Sequence, residues 1–188
     1  MAYAFAMSVT PGPNNLMLMA SGANFGIRRT LPHMLGVSLG FAVLAIVVGL
    51  GLGAVFEAVP RLYDALKVAA VLYMLWLAGK IANAAAPQGP AEAGTPMTFL
   101  QAAAFQWVNP KAVAMAVTAV TVYAPGGGLL AVLAVALIFS AVNLPSVGSW
   151  TLVGMKMRTW LSTPGRLRGF NWTMAALLIL SLWPVLAS

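Results

Sequence analysis

The 188-residue sequence contains no cysteine, which excludes a disulfide framework, a thiolate nucleophile, a cysteine-ligated zinc site and an iron–sulfur cluster. It is also poor in charge, since 7% of its residues are charged and soluble domains carry about 25%. Hydrophobic residues make up 61% of the chain, and the mean hydropathy is +0.91. So few polar side chains cannot cover a water-facing surface. The composition therefore excludes an ordinary soluble enzyme and predicts an integral membrane protein.

The few titratable groups exclude other functions. One histidine and 3 acidic residues leave no group set for nucleophilic or metal-assisted catalysis. We therefore expect no catalytic residue, no metal site and no cofactor, and we expect His33 to be an interfacial residue in a cytoplasmic loop. The net charge of +7 is compatible with a nucleic-acid partner, but the basic residues lie in short segments between apolar runs. Membrane topology explains that placement better, so no nucleic-acid partner is expected.

Apolar runs between the charges predict six transmembrane helices, because one span needs roughly 20 mostly apolar residues. The predicted helices lie near 2–25, 35–57, 62–84, 98–123, 128–154 and 170–187. Lysine and arginine concentrate around the connections that follow the first, third and fifth of these helices, whereas the opposite side holds only Arg61 and Lys67. The basic residues of the first set are Arg28, Arg29, Lys80, Lys156, Arg158, Arg166 and Arg168. The positive-inside rule assigns those connections to the cytoplasm, which places both termini outside it.

The start of the first predicted helix is short. Only nine residues precede Thr10, so this half-helix either begins within the bilayer or the true start of the chain lies upstream of Met1. A signal peptide does not fit, because no basic stretch precedes the apolar run and Pro11-Gly12-Pro13 interrupts it.

The chain is predicted to form two three-helix halves, residues 1–84 and 98–188, joined by a cytoplasmic linker rich in alanine, proline and glycine at 85–97. The first helix of each half contains a polar residue followed by proline, Thr10-Pro11 and Asn109-Pro110. Each proline removes a backbone donor, so both helices should break. Because each half has an odd number of spans, three, the second half begins on the opposite side of the membrane and must run inverted. Paired breaks of this kind point to the central site of a transporter, although two ordinary proline kinks without a ligand are the alternative.

The candidate substrate site lies between the two breaks. Its predicted residues are Thr10, Pro11, Gly12, Pro13, Asn14, Asn15, Gln106, Asn109, Pro110, Lys111 and Asn143. Half-helix N-termini would offer backbone donors to a substrate carboxylate. Lys111 lies well inside a predicted span. It is a counter-charge for that carboxylate, a tether for freed carbonyl groups, or a side chain that snorkels to the cytoplasmic face.

Small residues spaced four apart indicate close helix packing. Gly36-x-x-x-Gly40 and Gly49-x-x-x-Gly53 lie on the second predicted helix, where such spacing lets two backbones approach each other. We expect these pairs to pack within the chain rather than to form a dimer face.

Five motifs carry a resemblance to a known family. They are Thr10-Pro11-Gly12-Pro13-Asn14-Asn15, Gly26-Ile27-Arg28-Arg29, Gly36-Val37-Ser38-Leu39-Gly40-Phe41, Tyr73-Met74-Leu75-Trp76-Leu77-Ala78-Gly79-Lys80 and Phe105-Gln106-Trp107-Val108-Asn109-Pro110-Lys111. Together they resemble the LysE/RhtB family of bacterial amino-acid exporters, and the Pro-Gly-Pro-Asn-Asn form is similar to its cysteine and O-acetylserine branch. The apolar spans predict an all-α polytopic membrane protein, and the resemblance implies that the membrane is the bacterial inner membrane. It also implies efflux of small amino acids or their metabolites, coupling to the proton gradient, and often a homodimer.

We interpret the protein as a secondary exporter that works by alternating access, with its substrate site between the two breaks. No acidic residue lies near a predicted bilayer midplane, so a carboxylate proton relay has no candidate and the coupling mechanism stays open. The alternative is a non-transporting membrane scaffold or assembly subunit, which would not explain the paired breaks. A channel would share the cavity but would show flux without coupling.

Overall fold

The computed structural model describes residues 1–52, 60–84 and 94–183, and within these ranges the regular structure is helical, with no strand. The α-helices of the described ranges are α1 Ala2–Val9, α2 Pro13–Val47, α3 Pro60–Ala82, α4 Phe99–Val108, α5 Pro110–Tyr123, α6 Leu129–Met157 and α7 Pro164–Leu180. A π-helical turn, Val48–Leu52, follows α2, and a 3₁₀ turn, Trp160–Ser162, precedes α7. The all-α prediction is confirmed. Most of the predicted linker 85–97 lies outside the described residues.

Among the described residues, two helical stretches are long and apolar enough to cross a membrane by length and composition. They are Pro13–Gly51 and Leu129–Met157, in which 18-residue windows have mean hydropathies of 2.4 and 2.2. The predicted span 98–123 is instead two shorter helices, α4 and α5, because it is interrupted at Asn109. A break of this kind leaves each piece below the roughly 20 residues that one continuous span requires.

Both predicted proline breaks are present. At the first, Thr10 and Gly12 are extended, and α2 begins with Pro13 at its first helical position. At the second, only Asn109 is extended, and α5 begins with Pro110. Thr10 and Asn109 therefore correspond, because each is the first residue after a helix. The proline that begins the next helix is Pro110 at the second break and Pro13, rather than Pro11, at the first.

The predicted loop between the first two spans is a kink instead. Gly26 has a φ of 75° and a ψ of 171°, and helical structure resumes directly after it. That φ lies in the left-handed half of the backbone map, which glycine adopts without the steric cost that a Cβ brings. The first helical segment therefore ends where it was predicted to end, but Arg28, Arg29 and His33 are helical rather than part of a loop.

Two other expectations for charged and polar residues are wrong. His33 was expected at an interface, yet only 2% of its surface is exposed, because the second part of α2 packs this side chain into the protein. Arg166 and Arg168 were assigned to the segment before the last helix. They lie in the first turns of α7, which begins at Pro164.

Helix α2 is the central element, since it packs most extensively against α6 and next against α4. Glycines make these approaches possible. A Cβ added at Gly36 would meet the carbonyl of Phe99, and one at Gly40 would lie 2.5 Å from the Cα of Ala103. This confirms that Gly36 and Gly40 pack within the chain. Gly22 and Gly154 permit a second crossing, between α2 and α6.

Candidate functional site

The first break lies where α1 ends, and the carbonyl groups of residues 7–11 there lose their helical partners. Side chains replace those partners, and each of these carbonyls accepts a hydrogen bond. At the break itself, Thr10 Oγ1 donates to Met7 O (3.1 Å), and from α2, Asn15 Nδ2 donates to Ser8 O (2.8 Å) and to Thr10 O (2.9 Å). From α6, Ser146 Oγ donates to Ser8 O (2.9 Å) and Trp150 Nε1 donates to Val9 O (3.2 Å). From α5, Lys111 Nζ donates to Thr10 O (2.8 Å) and to Pro11 O (3.4 Å). Backbone carbonyls without partners are costly at membrane depth, so this set of donors is what permits the break.

Lys111 is half-buried and joins the two breaks. Its ammonium group contacts the Thr10 carbonyl and, at 2.9 Å, the Thr10 hydroxyl. A cation next to the carbonyl end of a helix is favoured by the helix dipole, and α1 presents that end here. These contacts are those of a tether, one of the three roles considered for Lys111. Its side chain also lies against Gly12, where a Cβ would be 2.7 Å from Lys111 Cδ.

Two helix N-termini meet at the breaks, and neither has a side-chain cap among the described residues. Gly12 precedes α2 and Asn109 precedes α5, and each helix begins with proline. By contrast, α4 begins with a complete capping box, in which Thr98 Oγ1 accepts from the Gln101 backbone N–H and Gln101 Oε1 accepts from the Thr98 backbone N–H. Uncapped helix N-termini carry free N–H groups and a positive dipole end, which is the arrangement that binds anions.

Asn14 and Gln106 form an amide pair across the two breaks. Asn14 Nδ2 donates to Gln106 Oε1 at 2.8 Å, and Gln106 Nε2 donates back to Asn14 Oδ1 at 3.2 Å. Gln106 Nε2 also donates to the Ala102 carbonyl at 2.8 Å, and its side chain is fully buried. Both predicted residues are thus at the site, and they bond to each other.

A small cavity of about 20 Å³, lined by both polar and apolar residues, lies between the breaks. The predicted site residues that line it are Gly12, Asn14, Asn15, Asn109, Lys111 and Asn143. Two of the oxygen atoms around it, Ser8 Oγ and Asn109 Oδ1, are buried without a hydrogen-bond partner among the described residues. A cavity of this size holds about one water molecule, so the site as it stands is closed to an amino acid.

The predicted residues therefore converge, with a division of roles. Asn14, Asn109 and Asn143 face the cavity, whereas Thr10 and Pro11 are exposed residues that engage Lys111 through their oxygen atoms. Three contributors were missed: Ser8, Ser146 and Trp150. The sequence carries a weak signal for Ser146, since it follows Pro145 in a polar stretch of α6, and none for Trp150, which resembles an ordinary interfacial tryptophan.

Comparison with known proteins gives a consistent result. A family profile described as LysE type translocator matches residues 5–181. The cysteine/O-acetylserine efflux protein of Klebsiella pneumoniae is 28% identical over 181 residues, covering 95% of this chain and 91% of the relative. The protein of that name from Escherichia coli O139:H28 is 29% identical over 181 residues, covering 94% and 90%. The one from E. coli K12 is 32% identical over 123 residues, covering 64% and 62%. No solved structure matches this chain.

Proposed function

This chain belongs to the LysE type translocator family, and from that premise we propose that it exports small amino acids or their metabolites from the bacterial cytoplasm. Family membership makes the protein a transporter rather than an enzyme, and implies a multi-pass protein of the bacterial inner membrane. The finer features of the proposal are secondary transport, alternating access and coupling to the proton gradient. They also include two inverted halves, both termini outside the cytoplasm, and a homodimer.

The observation that carries the proposal is the meeting of two uncapped helix N-termini at one small cavity. Asn14 and Asn15 from the first turn of α2 line it, as do Lys111 and Ala112 from the first turn of α5, and Lys111 brings a positive charge. A carboxylate is the group that such an arrangement attracts, because donors and positive charge converge. Asn109 Oδ1, which lacks a partner among the described residues, supplies an acceptor for a substrate ammonium or hydroxyl group.

The substrate class follows from this chemistry and from the relatives. A carboxylate next to an ammonium group defines an α-amino acid. The relatives named above are cysteine/O-acetylserine efflux proteins. We therefore assign to this chain small polar amino acids of that type.

Alternating access would explain why the cavity is closed. A volume of about 20 Å³ excludes an amino acid, so the segments at the breaks must separate to admit one. The contacts that would have to exchange are the Asn14–Gln106 pair and the hydrogen bonds of Lys111 to the end of α1. These contacts join the proposed first half to the proposed second half, which fits movement of one half against the other.

The test is export from intact cells. Cells loaded with dipeptides that release single amino acids inside are followed for amino acids in the medium, with and without the protein. Faster release of cysteine, serine or a close analogue is expected with the native chain, and loss of that release with Asn109→Leu. The matched control is Thr173→Val, an exposed position on α7 away from the breaks, which should export normally.

Two results would contradict the proposal. No change in release across the panel, with the protein confirmed in the membrane, would favour the scaffold function. Native release from Asn109→Leu would contradict the site assignment but not the export function.

Collapse of the proton gradient with an uncoupler tests the coupling, since a channel-like flux would persist and coupled efflux would fall.

A further inference from the structure

A second, much larger cavity of about 560 Å³ lies between α2, α3 and the start of α4. Asn24 and His33 of α2 line it, together with Tyr73, Trp76 and Lys80 of α3. Its volume is within the range of small-molecule sites, and its wall combines aromatic surface with a few polar groups, as such sites do. None of the residues at the two proline breaks lines this cavity.

His33 is the unusual group in this wall. It is nearly fully buried, and neither of its ring nitrogens has a hydrogen-bond partner among the described residues. Asn24 Oδ1 is also buried without a hydrogen-bond partner among the described residues. The other end of this amide is paired, since Asn24 Nδ2 donates to Ala20 O at 2.8 Å and to Asn171 Oδ1 at 3.1 Å. A buried polar atom left unpaired is destabilising, so three of them on two residues that line one cavity require an explanation. None of the three atoms is exposed in this arrangement, and a ligand would pair with them once the two side chains turn toward the cavity.

The wall also defines the ligand chemistry. A neutral imidazole offers one donor and one acceptor, and Asn24 Oδ1 adds another acceptor. Lys80 supplies a positive charge, with its ammonium nitrogen 4.9 Å from the centre of the Trp76 ring. Acceptors for an ammonium group and a cation for a carboxylate together match a zwitterion. The aromatic rings suit the apolar part of such a ligand.

The larger cavity follows the smaller one along α2. Asn14, Met17, Ser21 and Asn24 follow one face of α2 at helical spacing. Asn14 lines the small cavity, whereas the other three line the large one. Asn14 and Met17 are three residues apart, about 4.5 Å along the helix axis. The Asn14–Gln106 pair therefore lies close to the boundary between the two cavities.

We propose that the cavity lined by His33 and Asn24 is a second binding site for a zwitterionic amino acid, occupied before the substrate passes the Asn14–Gln106 pair. This site rests on the proposed function. It lies on the side of the breaks that carries Arg28, Arg29 and residues 94–98, which that proposal assigns to the cytoplasm. His33 and Asn24 contact the ligand, and opening of the amide pair transfers it to the small cavity.

The test measures uptake of ³⁵S-labelled L-cysteine, kept reduced, into inside-out membrane vesicles, with O-acetyl-L-serine as competitor. His33→Leu is expected to raise the KM about tenfold and to leave kcat within a factor of two, because a binding contact is lost. His33→Gln keeps one donor and one acceptor, so its KM should stay within about threefold of the native value. Thr173→Val serves as the control for handling and expression.

Thermal stability separates this site from a structural role for His33. Removing nitrogens that bond to no described protein group should leave the melting temperature of purified His33→Leu unchanged or raised. A lower melting temperature with a native KM would overturn the proposal, because His33 would then serve the fold. A native KM with native stability would overturn it as well. If native vesicles transport neither compound, the proposed function fails for these substrates and the second site fails with it.

Discussion

The ammonium nitrogen of Lys111 lies 2.8 Å from the carbonyl oxygen of Thr10, a residue 101 positions earlier in the chain. This bond joins the start of α5 to the end of α1. It satisfies a carbonyl that the break has freed, and it places a positive charge where two helix N-termini also converge. One side chain therefore stabilises the interruption in the backbone and contributes to the charge of the candidate site.

Replacing Lys111 should affect both stability and export. Lys111→Met removes the donor to the Pro11 carbonyl and one of the two donors to the Thr10 carbonyl, so we expect a loss of about 1–2 kcal/mol in the free energy of unfolding. Lys111→Arg keeps the charge and several donors, and should retain most of that stability. Thermal unfolding of the purified variants in detergent measures the first effect, and the cellular export assay the second. A Lys111→Met protein that is stable and exports normally would contradict both roles.

The Asn14–Gln106 pair should show energetic coupling. Asn14→Ala and Gln106→Ala each leave the remaining amide without its partner, so the double variant should lose less stability than the two single variants add up to. We expect a coupling energy of about 0.5–1.7 kcal/mol, the range of hydrogen bonds between membrane helices. A double-mutant cycle on unfolding free energies measures it. Full additivity would mean that the pair contributes nothing to the closed state.

The crossing of α2 and α6 should not tolerate a methyl group. A Cβ at Gly22 would fall on the carbonyl of Thr151, and one at Gly154 on the carbonyl of Met19, so the backbones would have to separate. We expect Gly22→Ala and Gly154→Ala each to lower stability by about 1–3 kcal/mol.

The matched control for this crossing is Gly169→Ala, at a position in α7 where an added Cβ meets nothing within 4 Å. Alanine is the better helix former, so this variant should be neutral or more stable by up to about 1 kcal/mol. The melting temperatures of Gly22→Ala, Gly154→Ala and Gly169→Ala test whether the crossing tolerates an added methyl group. Equal values for Gly22→Ala and Gly169→Ala would show that the helices adjust freely at the crossing.

The sequence was sufficient to predict the two breaks, because a proline lacks its N–H group in every tertiary context. It also predicted the end of the first helical segment at Gly26. It was misleading for His33, because the nearby Arg29 and Pro32 indicate a loop, whereas the burial of this residue depends on how the second part of α2 packs. The start of α2 at Pro13 was not predicted either, since three consecutive helix-breaking residues leave several positions open.

The donors at the first break could not have been predicted from local patterns. Trp150 donates to the Val9 carbonyl from 141 residues away, and this contact exists only because α6 packs against α1. Residues at such separations are brought together by the whole helix arrangement, which composition and spacing do not determine. The candidate residues next to the prolines were accessible to sequence reasoning, whereas the supporting residues on α6 required the structure.

Asn15 provides redundancy at the first break. The Ser8 carbonyl accepts from both Asn15 and Ser146, and the Thr10 carbonyl accepts from both Asn15 and Lys111. One donor of each pair comes from α2, the next helix in sequence, and the other from a distant helix. If α5 and α6 withdraw, Asn15 still holds both carbonyls, and the Val9 and Pro11 carbonyls are left to the water that enters. The interruption can therefore persist through a cycle of movement without the chain at this point having to refold.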